Sequence, residues 1–244
     1  MQSDQDFKAT GITLKQKDFK DFDKIVHIFT REYGLVQAIA KGIKKTNKNF
    51  TGNIDLLNIS DFVIKKGKGL NNILQCENIK HFPLIRLDYD KLIYSLFLGE
   101  LILLLTHDND DNKSIFDLLV YTLEKIEKSE VPIVETIWFQ INLLRIIGYE
   151  QDFFYCTTCD KEIVFEDKKL GFSLNTGGII CNSCIQYSFN YKIILEDTLK
   201  TIIQINNLEE DNKYSEETLN KIQSLFKEYF SILSEKKIKT LTTL

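Results

Sequence analysis

From Phe7 to Phe82, short runs of β-branched and aromatic residues are separated by Gly, Asn and Asp, a pattern that predicts strands. Gly11-Ile12-Thr13-Leu14-Lys15-Gln16-Lys17 alternates apolar and polar, and Lys24 to Thr30 is a second β-rich run. Arg31-Glu32-Tyr33-Gly34 supplies a turn, with glycine where a positive φ is easily adopted. A third strand is expected over Leu35 to Lys41, a fourth over Ile54 to Lys65 and a fifth over Leu70 to Cys76, the last two joined by Lys66-Gly67-Lys68-Gly69. Aromatics at strand positions are core by default, and Phe29 and Phe62 are read that way, while Phe19, Phe22 and Phe50 are left as candidates for stacking on bases.

After Pro83 the apolar period lengthens from two to about three and a half, which marks a change to helices. Asp88 is suited to cap a helix running to Thr106, with Leu92, Leu96, Phe97, Leu101 and Leu104 on one face. Ser114 to Lys128 and Pro132 to Ile147 follow, the latter with proline in its first turn and Gly148 as its stop. Glu196 to Ile205 and Ser215 to Ser234 resume the helical pattern after a cysteine-bearing segment. Because closing a five-stranded sheet removes its exposed edges, the expected fold class is α+β: an N-terminal five-stranded OB-type β-barrel, then a mostly helical domain with an inserted four-cysteine ribbon. The expected divisions are 1–82 for the barrel, 83–150 for the first helical part, 151–192 for the ribbon and 193–244 for the last helical part.

The inserted segment holds the chemistry that spacing alone makes specific. Cys156-Thr157-Thr158-Cys159 and Cys181-Asn182-Ser183-Cys184 are two C-x-x-C pairs, and each such turn directs two sulfurs toward one metal. Ile163-Val164-Phe165 and Gly171-Phe172-Ser173-Leu174 are expected as short strands, with Gly177-Gly178 turning the chain back to present the second pair. The outline is that of a zinc ribbon with one structural Zn2+ per chain. Four thiolates leave no open position for a reacting water. Disulfides, a redox dithiol and an iron–sulfur cluster compete for the same pattern. The fifth cysteine, Cys76, reads as a small buried hydrophobe.

Charge divides the chain. The formal net charge is −4, yet residues 1–80 carry fourteen Lys and Arg against nine Asp and Glu, and the remainder seventeen against twenty-six. A basic half can hold phosphate while an acidic half stays off it. The candidates for phosphate contact are Lys15, Lys17 and Lys24 near the first turn, Lys41, Lys44, Lys45 and Lys48 in the loop ending at Phe50, and Lys65, Lys66 and Lys68 in the last hairpin. Lysine acts as a mobile point charge, which gives salt-sensitive affinity without sequence readout. Ordinary solvated lysines would give the same composition.

Other functions find no support. Gly67-Lys68-Gly69 lacks the third glycine and following helix of a nucleotide loop. His27, His81 and His107 are scattered, and no nucleophile stands in a recognisable setting; the chain is read as a non-enzyme. The most apolar run, Leu92 to Leu105, contains Glu100 and falls short of the roughly 18 residues a membrane span requires. The polar, acidic N-terminus is unlike a secretory signal, and clustered cysteines in odd number suit a reducing cytoplasm.

The order of these features resembles the RecO family of bacterial recombination mediators. The resemblance is carried by Gly11-Ile12-Thr13-Leu14, Asp23-Lys24-Ile25-Val26, Phe29-Thr30-Arg31-Glu32-Tyr33-Gly34 and Ala40-Lys41-Gly42-Ile43-Lys44-Lys45. Further along it rests on Phe82-Pro83-Leu84-Ile85-Arg86, Leu143-Leu144-Arg145-Ile146-Ile147-Gly148-Tyr149, the two cysteine pairs, and Ile238-Lys239-Thr240-Leu241. It implies a factor that binds single- and double-stranded DNA, anneals complementary strands and, with RecR, helps RecA replace single-strand binding protein. It implies DNA contact through the barrel, at Lys41, Lys44, Lys45 and their neighbours. It also implies a pocket in the helical domain for the acidic, hydrophobic tail of single-strand binding protein. Arg145, a cation within an apolar helix, is a candidate for that pocket, although surface snorkelling accounts for it better. The resemblance places the protein in the bacterial cytoplasm, acting at the nucleoid. The competing reading is a zinc-containing protein–protein scaffold that does not touch DNA.

Overall fold

The computed structural model describes residues 6–44, 53–107, 111–165, 169–209 and 213–241. It divides into two compact units, Met1–Lys128 and Ser129–Leu244.

In the first unit, strands β1 (Asp6–Phe19), β2 (Asp23–Thr30), β3 (Gly34–Ala40), β4 (Ile59–Lys65) and β5 (Asn71–Lys80) form a closed barrel in the order β1-β2-β3-β5-β4. Strand β1 is longer than its alternation suggests because it serves two partners: Asp6 to Ile12 pairs with β4, and Gly11 to Phe19 pairs with β2. A register shift between Thr13 and Lys15 lets the strand bend between them. The turn from β2 to β3 places Gly34 at φ +63°, and a Cβ there would meet Asn112 Oδ1 at 2.7 Å, so glycine answers both backbone and neighbour. Strand β3 closes on β5 in parallel through Ala38–Asn71 and Ile39–Asn72.

Inward-facing Val26, Ile28, Ala38, Phe62, Ile64 and Ile73 fill the barrel. Cys76 joins them, and burial pushes its thiol up to about 11, as suits a small hydrophobe. Phe29 and Phe62 are core residues as expected, whereas Phe22 is exposed. Phe50 lies outside the described residues.

Three helices belong to the same unit: α1 (Pro83–Leu87), α2 (Tyr89–Leu105) and α3 (Asn112–Lys128). Asp88 caps α2, its carboxylate accepting from Lys91 N at 3.0 Å. The apolar face of α2 differs from the expected stripe: Tyr94, Phe97, Leu98, Leu101, Ile102 and Leu105 are buried, whereas Leu92, Leu96 and Leu104 are half-buried. The cause is packing on several sides, because α2 contacts β1 as well as α1 and α3. Gly99 allows the approach to the barrel, where an added Cβ would lie 3.3 Å from Leu14 Cδ2. Paired bonds from Arg31 Nε and Nη2 to Asp117, at 2.9 and 3.0 Å, tie the barrel to α3, and Lys80 to Glu124 at 2.6 Å does the same.

The second unit contains α4 (Pro132–Ile146), the ribbon strands β6 (Leu170–Ser173), β7 (Ile179–Ile180) and β8 (Tyr191–Ile194), the short α5 (Asn182–Ile185), and α6 (Glu196–Asn206) and α7 (Glu216–Leu233). Pro132 opens α4. Gly148, at φ +86°, ends it, with Tyr149 N donating to Leu144 O at 2.8 Å. Helix α4 packs on α6 and α7. The ribbon sheet runs β7-β6-β8. Ile163 to Phe165, expected as a strand, is irregular; the pairing nearby is a single bridge between Tyr155 and Glu162. The sheet instead recruits Ile179–Ile180 and Tyr191–Ile194, which flank the second cysteine pair.

Candidate metal centre and nucleic-acid interface

The sulfurs of Cys156, Cys159, Cys181 and Cys184 lie within 4.8 Å of one another, the cluster able to hold a metal among the described residues. All four are unbonded thiols. Cys159 and Cys181 sulfurs are 3.9 Å apart, close to the edge of about 3.8 Å for a tetrahedron with metal–sulfur distances of about 2.3 Å. Backbone geometry prepares the charge. Thr158 N and Cys181 N donate to Cys156 Sγ at 3.4 and 3.3 Å. Burial opposes ionisation of Cys156, but donation from the N–H groups of Cys181, Thr158 and Cys159 outweighs it and holds this thiol down at about 6. Its neighbours respond in the opposite sense: Cys184, hydrogen-bonded with Cys181 and Cys159, is pushed up to about 12, and burial raises Cys181. Cys156 ionises readily while Cys181 and Cys184 resist, as expected where several thiolates must share a small volume. A divalent cation relieves that repulsion.

Two turns bring the pairs together. Cys156 and Ile179 form a parallel bridge, with Thr157 N donating to Ile179 O at 2.8 Å. Gly178 sits against Thr157 so closely that a Cβ would lie 2.2 Å from Thr157 Cγ2.

The basic candidates are placed by strand register. Lys15, His27 and Gln37 form one cross-strand row on β1, β2 and β3. Lys17, Ile25, Ile39, Asn72 and Lys65 form a second, which crosses all five strands. Between them runs the row Gln16, Val26 and Ala38, whose Val26 and Ala38 are fully buried. Alternation therefore turns the two lysine-bearing rows outward. Lys15, Lys17 and Lys65 are exposed, and Ile25 and Ile39 are half-buried. Lys41, also exposed, stands two residues beyond Ile39.

Lys24 and Lys44 are engaged elsewhere. Lys24 pairs with Ala40 in the inward-facing set, and its Nζ donates to Gln16 Oε1 at 2.8 Å. Lys44 forms an ion pair with Asp18 at 3.0 Å. Lys66 and Lys68 are exposed in the β4–β5 turn; Asn71, at the end of that turn, pairs with Ala38. Lys45 and Lys48 lie outside the described residues. His27 was not singled out by sequence. Burial, followed by the charge of Lys15, lowers its pKa and so favours the neutral ring.

Arg145 is exposed at the end of α4, where Glu150, Asn142 and Asn206 engage its guanidinium at 3.0, 2.9 and 3.3 Å. This is a surface network around a snorkelling stem.

Family models cover this barrel and this helical, ribbon-bearing part separately: "Recombination protein O N terminal" matches residues 1–82 and "Recombination protein O C terminal" matches 86–242. The chain belongs to the Recombination protein O family. It is 31% identical over 224 residues to the DNA repair protein RecO of Alkaliphilus metalliredigens, covering 88% of this chain and 89% of the relative. It is 28% identical over 242 residues to that of Desulforamulus reducens, covering 96% and 92%. Among the described residues, no helix is long and apolar enough to cross a membrane.

Proposed function

We propose that this RecO-type DNA repair protein binds single- and double-stranded DNA through the outer face of the barrel and promotes annealing of complementary strands. The observation that carries the reading is the outward row in which Lys17 and Lys65 flank half-buried Ile25 and Ile39. Because the sheet is closed and β4 pairs with β1, this row runs round the outside of the barrel, so its lysines present charge along a curved path over the surface. Lys15 and Lys41 widen the surface. Mobile ammonium groups neutralise phosphate without fixing the base sequence, so two strands held there slide into register with their repulsion reduced. No covalent step is required.

In this reading RecR is the protein partner, the acidic tail of single-strand binding protein docks on the helical part, and the assembly assists RecA loading. The cysteine cluster holds one Zn2+: soft thiolate donors in a tetrahedral set suit it. When bound, the metal supplies a closed cross-link between the two turns. Cys156, Cys159, Cys181 and Cys184 then serve stability, and the lysines serve DNA. Annealing of complementary oligonucleotides by a Lys15→Glu, Lys17→Glu, Lys41→Glu, Lys65→Glu variant tests the proposal. A large loss of rate with a shallower salt dependence is expected; unchanged rate and salt slope would remove this face from the mechanism.

One observation favours the alternative of a protein–protein scaffold: Tyr187 and Phe189, beside the second cysteine pair, are 73% and 86% exposed. Exposed aromatics of this kind suit a protein contact. A scaffold that does not touch DNA would show no binding in a DNA titration at either of two salt concentrations, while a Tyr187→Ser, Phe189→Ser variant would lose the protein contact.

A further inference from the structure

Helix α7 packs on the ribbon through Phe226, whose ring meets Phe172, through an ion pair of Glu228 with Lys192 at 3.0 Å, and through Tyr229. Tyr229 is 1% exposed, and its ring meets Phe172 of β6 edge-on, with centroids 5.8 Å apart and planes at 83°. The same ring closes over Gly177. This glycine has φ +75°, and a Cβ built on it would lie 2.6 Å from both Cζ and Oη of Tyr229. The tyrosine hydroxyl is buried beside Gln151, at the start of the ribbon; neither it nor Gln151 Oε1 has a hydrogen-bond partner of good geometry among the described residues. Tyr229 thus touches the ribbon where it begins, in its central strand and at its return turn.

The return turn sets the metal site. Gly177 N donates to Ser173 O and Ser173 N to Gly178 O, both at 2.8 Å, closing a tight loop on β6. Gly178 then fits against Thr157 within the first cysteine pair. Ile179 O accepts from Thr157 N at 2.8 Å, and Cys181, two residues on, donates its N–H to Cys156 Sγ at 3.3 Å. A displacement of Gly177 therefore moves Ile179 along Thr157 and carries Cys181 and Cys184 away from Cys156 and Cys159. The three atoms nearest to a Cβ built on Gly177 all belong to Tyr229.

We infer that Tyr229 is a positioning residue for the four-cysteine site: pressed on Gly177, it fixes the return turn and so sets the affinity of the site for metal. This rests on the proposal that the cysteines bind a metal. The coupling is reciprocal, since a ligand that favours one arrangement of the turn must be favoured by it in equal measure. Metal loading accordingly tightens the seat of α7.

The experiment is metal titration of the full chain, with Co2+ read by its thiolate charge-transfer absorption and Zn2+ read by competition with a chromophoric chelator. Wild-type protein comes first: failure to develop a four-thiolate Co2+ spectrum overturns the metal reading itself, whatever Tyr229 does. Given that spectrum, Tyr229→Ala is expected to weaken Zn2+ binding by about 10- to 100-fold, the range seen when groups that orient metal ligands are removed. Tyr229→Phe, which keeps the ring, is expected to stay within about threefold of wild type on the same scale. Phe230→Ala is the control. Phe230 is equally buried in α7 and packs on Phe226 and on Tyr229 itself, so its removal loosens the surroundings of Tyr229 while leaving in place the ring seated on Gly177. Equal weakening by Tyr229→Ala and Phe230→Ala, or wild-type affinity in Tyr229→Ala, overturns the inference. Should Tyr229→Ala lose its helical signal, Gly177→Ala disturbs the same contact from the ribbon side. Its affinity loss should shrink when Tyr229→Phe is replaced by Tyr229→Leu as the second change; a loss independent of residue 229 overturns the inference.

Discussion

In the ribbon four thiols lie within 4.8 Å of one another, whereas in the barrel Lys17 and Lys65 stand at opposite ends of a row that crosses five strands. The ribbon is a small sheet held by local close contacts and one outside ring: two backbone donors on Cys156, the seat of Gly178 on Thr157, and a tyrosine from α7. The barrel needs no such help, because Val26, Ile28, Phe62, Ile64 and Ile73 fill its interior and its sheet has closed on itself. A metal site tolerates no displacement, so its ligands are gathered and clamped. The proposed phosphate surface needs only charge density, which lysines dispersed on a rigid frame can supply.

This contrast predicts that metal removal and core damage fall on different units. Chelation, or Cys181→Ser, is expected to lower the melting temperature of the second unit by ~10 °C or more, since metal-binding free energy is folding free energy in such sites. Equal melting of apo and loaded protein would remove the structural role. Hydrogen exchange resolves the location: protection should fall in β6, β7 and α7 and persist in β1 to β5.

The converse change is Phe62→Ala. Phe62 is 1% exposed at the centre of the barrel, and its truncation is expected to cost about 3–5 kcal/mol. Denaturant unfolding measures the loss, and metal affinity should stay at the wild-type value. A shift in metal affinity would show that the barrel core and the cysteine site are energetically coupled.

Much of this division was legible in the sequence. Five strands, the Asp88 cap, Pro132 and Gly148 at the ends of α4, and the cysteine spacing each depend on local chemistry that travels with the residue type. What sequence did not give depends on distant partners. The buried face of α2 was displaced from Leu92 and Leu104 toward Tyr94, Leu98 and Ile102 because barrel and helices pack on it together. The strand Tyr191–Ile194 was missed because its polar and exposed residues pair with Leu170–Ser173 across some twenty positions. Tyr229 carries no signal in its own helix; its role appears only opposite Gly177. The lysines were named as a group, and only register separates the outward Lys15, Lys17 and Lys65 from Lys24, which bonds Gln16, and Lys44, which pairs with Asp18.

That separation yields a third prediction, of intermediate size. Neutralising Lys15, Lys17 and Lys65 to Gln should reduce the slope of log affinity against log salt by about 2 for single-stranded DNA, at about 0.7 per lost phosphate contact. Neutralising Lys24 and Lys44 should change the slope by less than about half as much, because both already engage side chains of the barrel. Equal losses in the two variants would remove the distinction drawn from register.

The smallest expected effect concerns His27, which shares a row with Lys15 and Gln37. Burial and the Lys15 charge place its folded pKa below the ordinary value of 6.5. The neutral ring is then favoured in the folded barrel, and the unfolded chain takes up the proton first. The resulting stability is fully present above about pH 6.5 and is lost as pH falls through the lower folded value. His27→Gln keeps a polar side chain in the row without a titrating ring. Its urea midpoint should therefore lack the component of acid destabilisation that wild type shows beginning near pH 6.5, and the difference should diminish in Lys15→Gln, where one of the two causes of the shift has been removed. Parallel pH profiles for wild type and His27→Gln would mean that the ring is solvated in both states, and that Lys15 faces water instead of the histidine beside it.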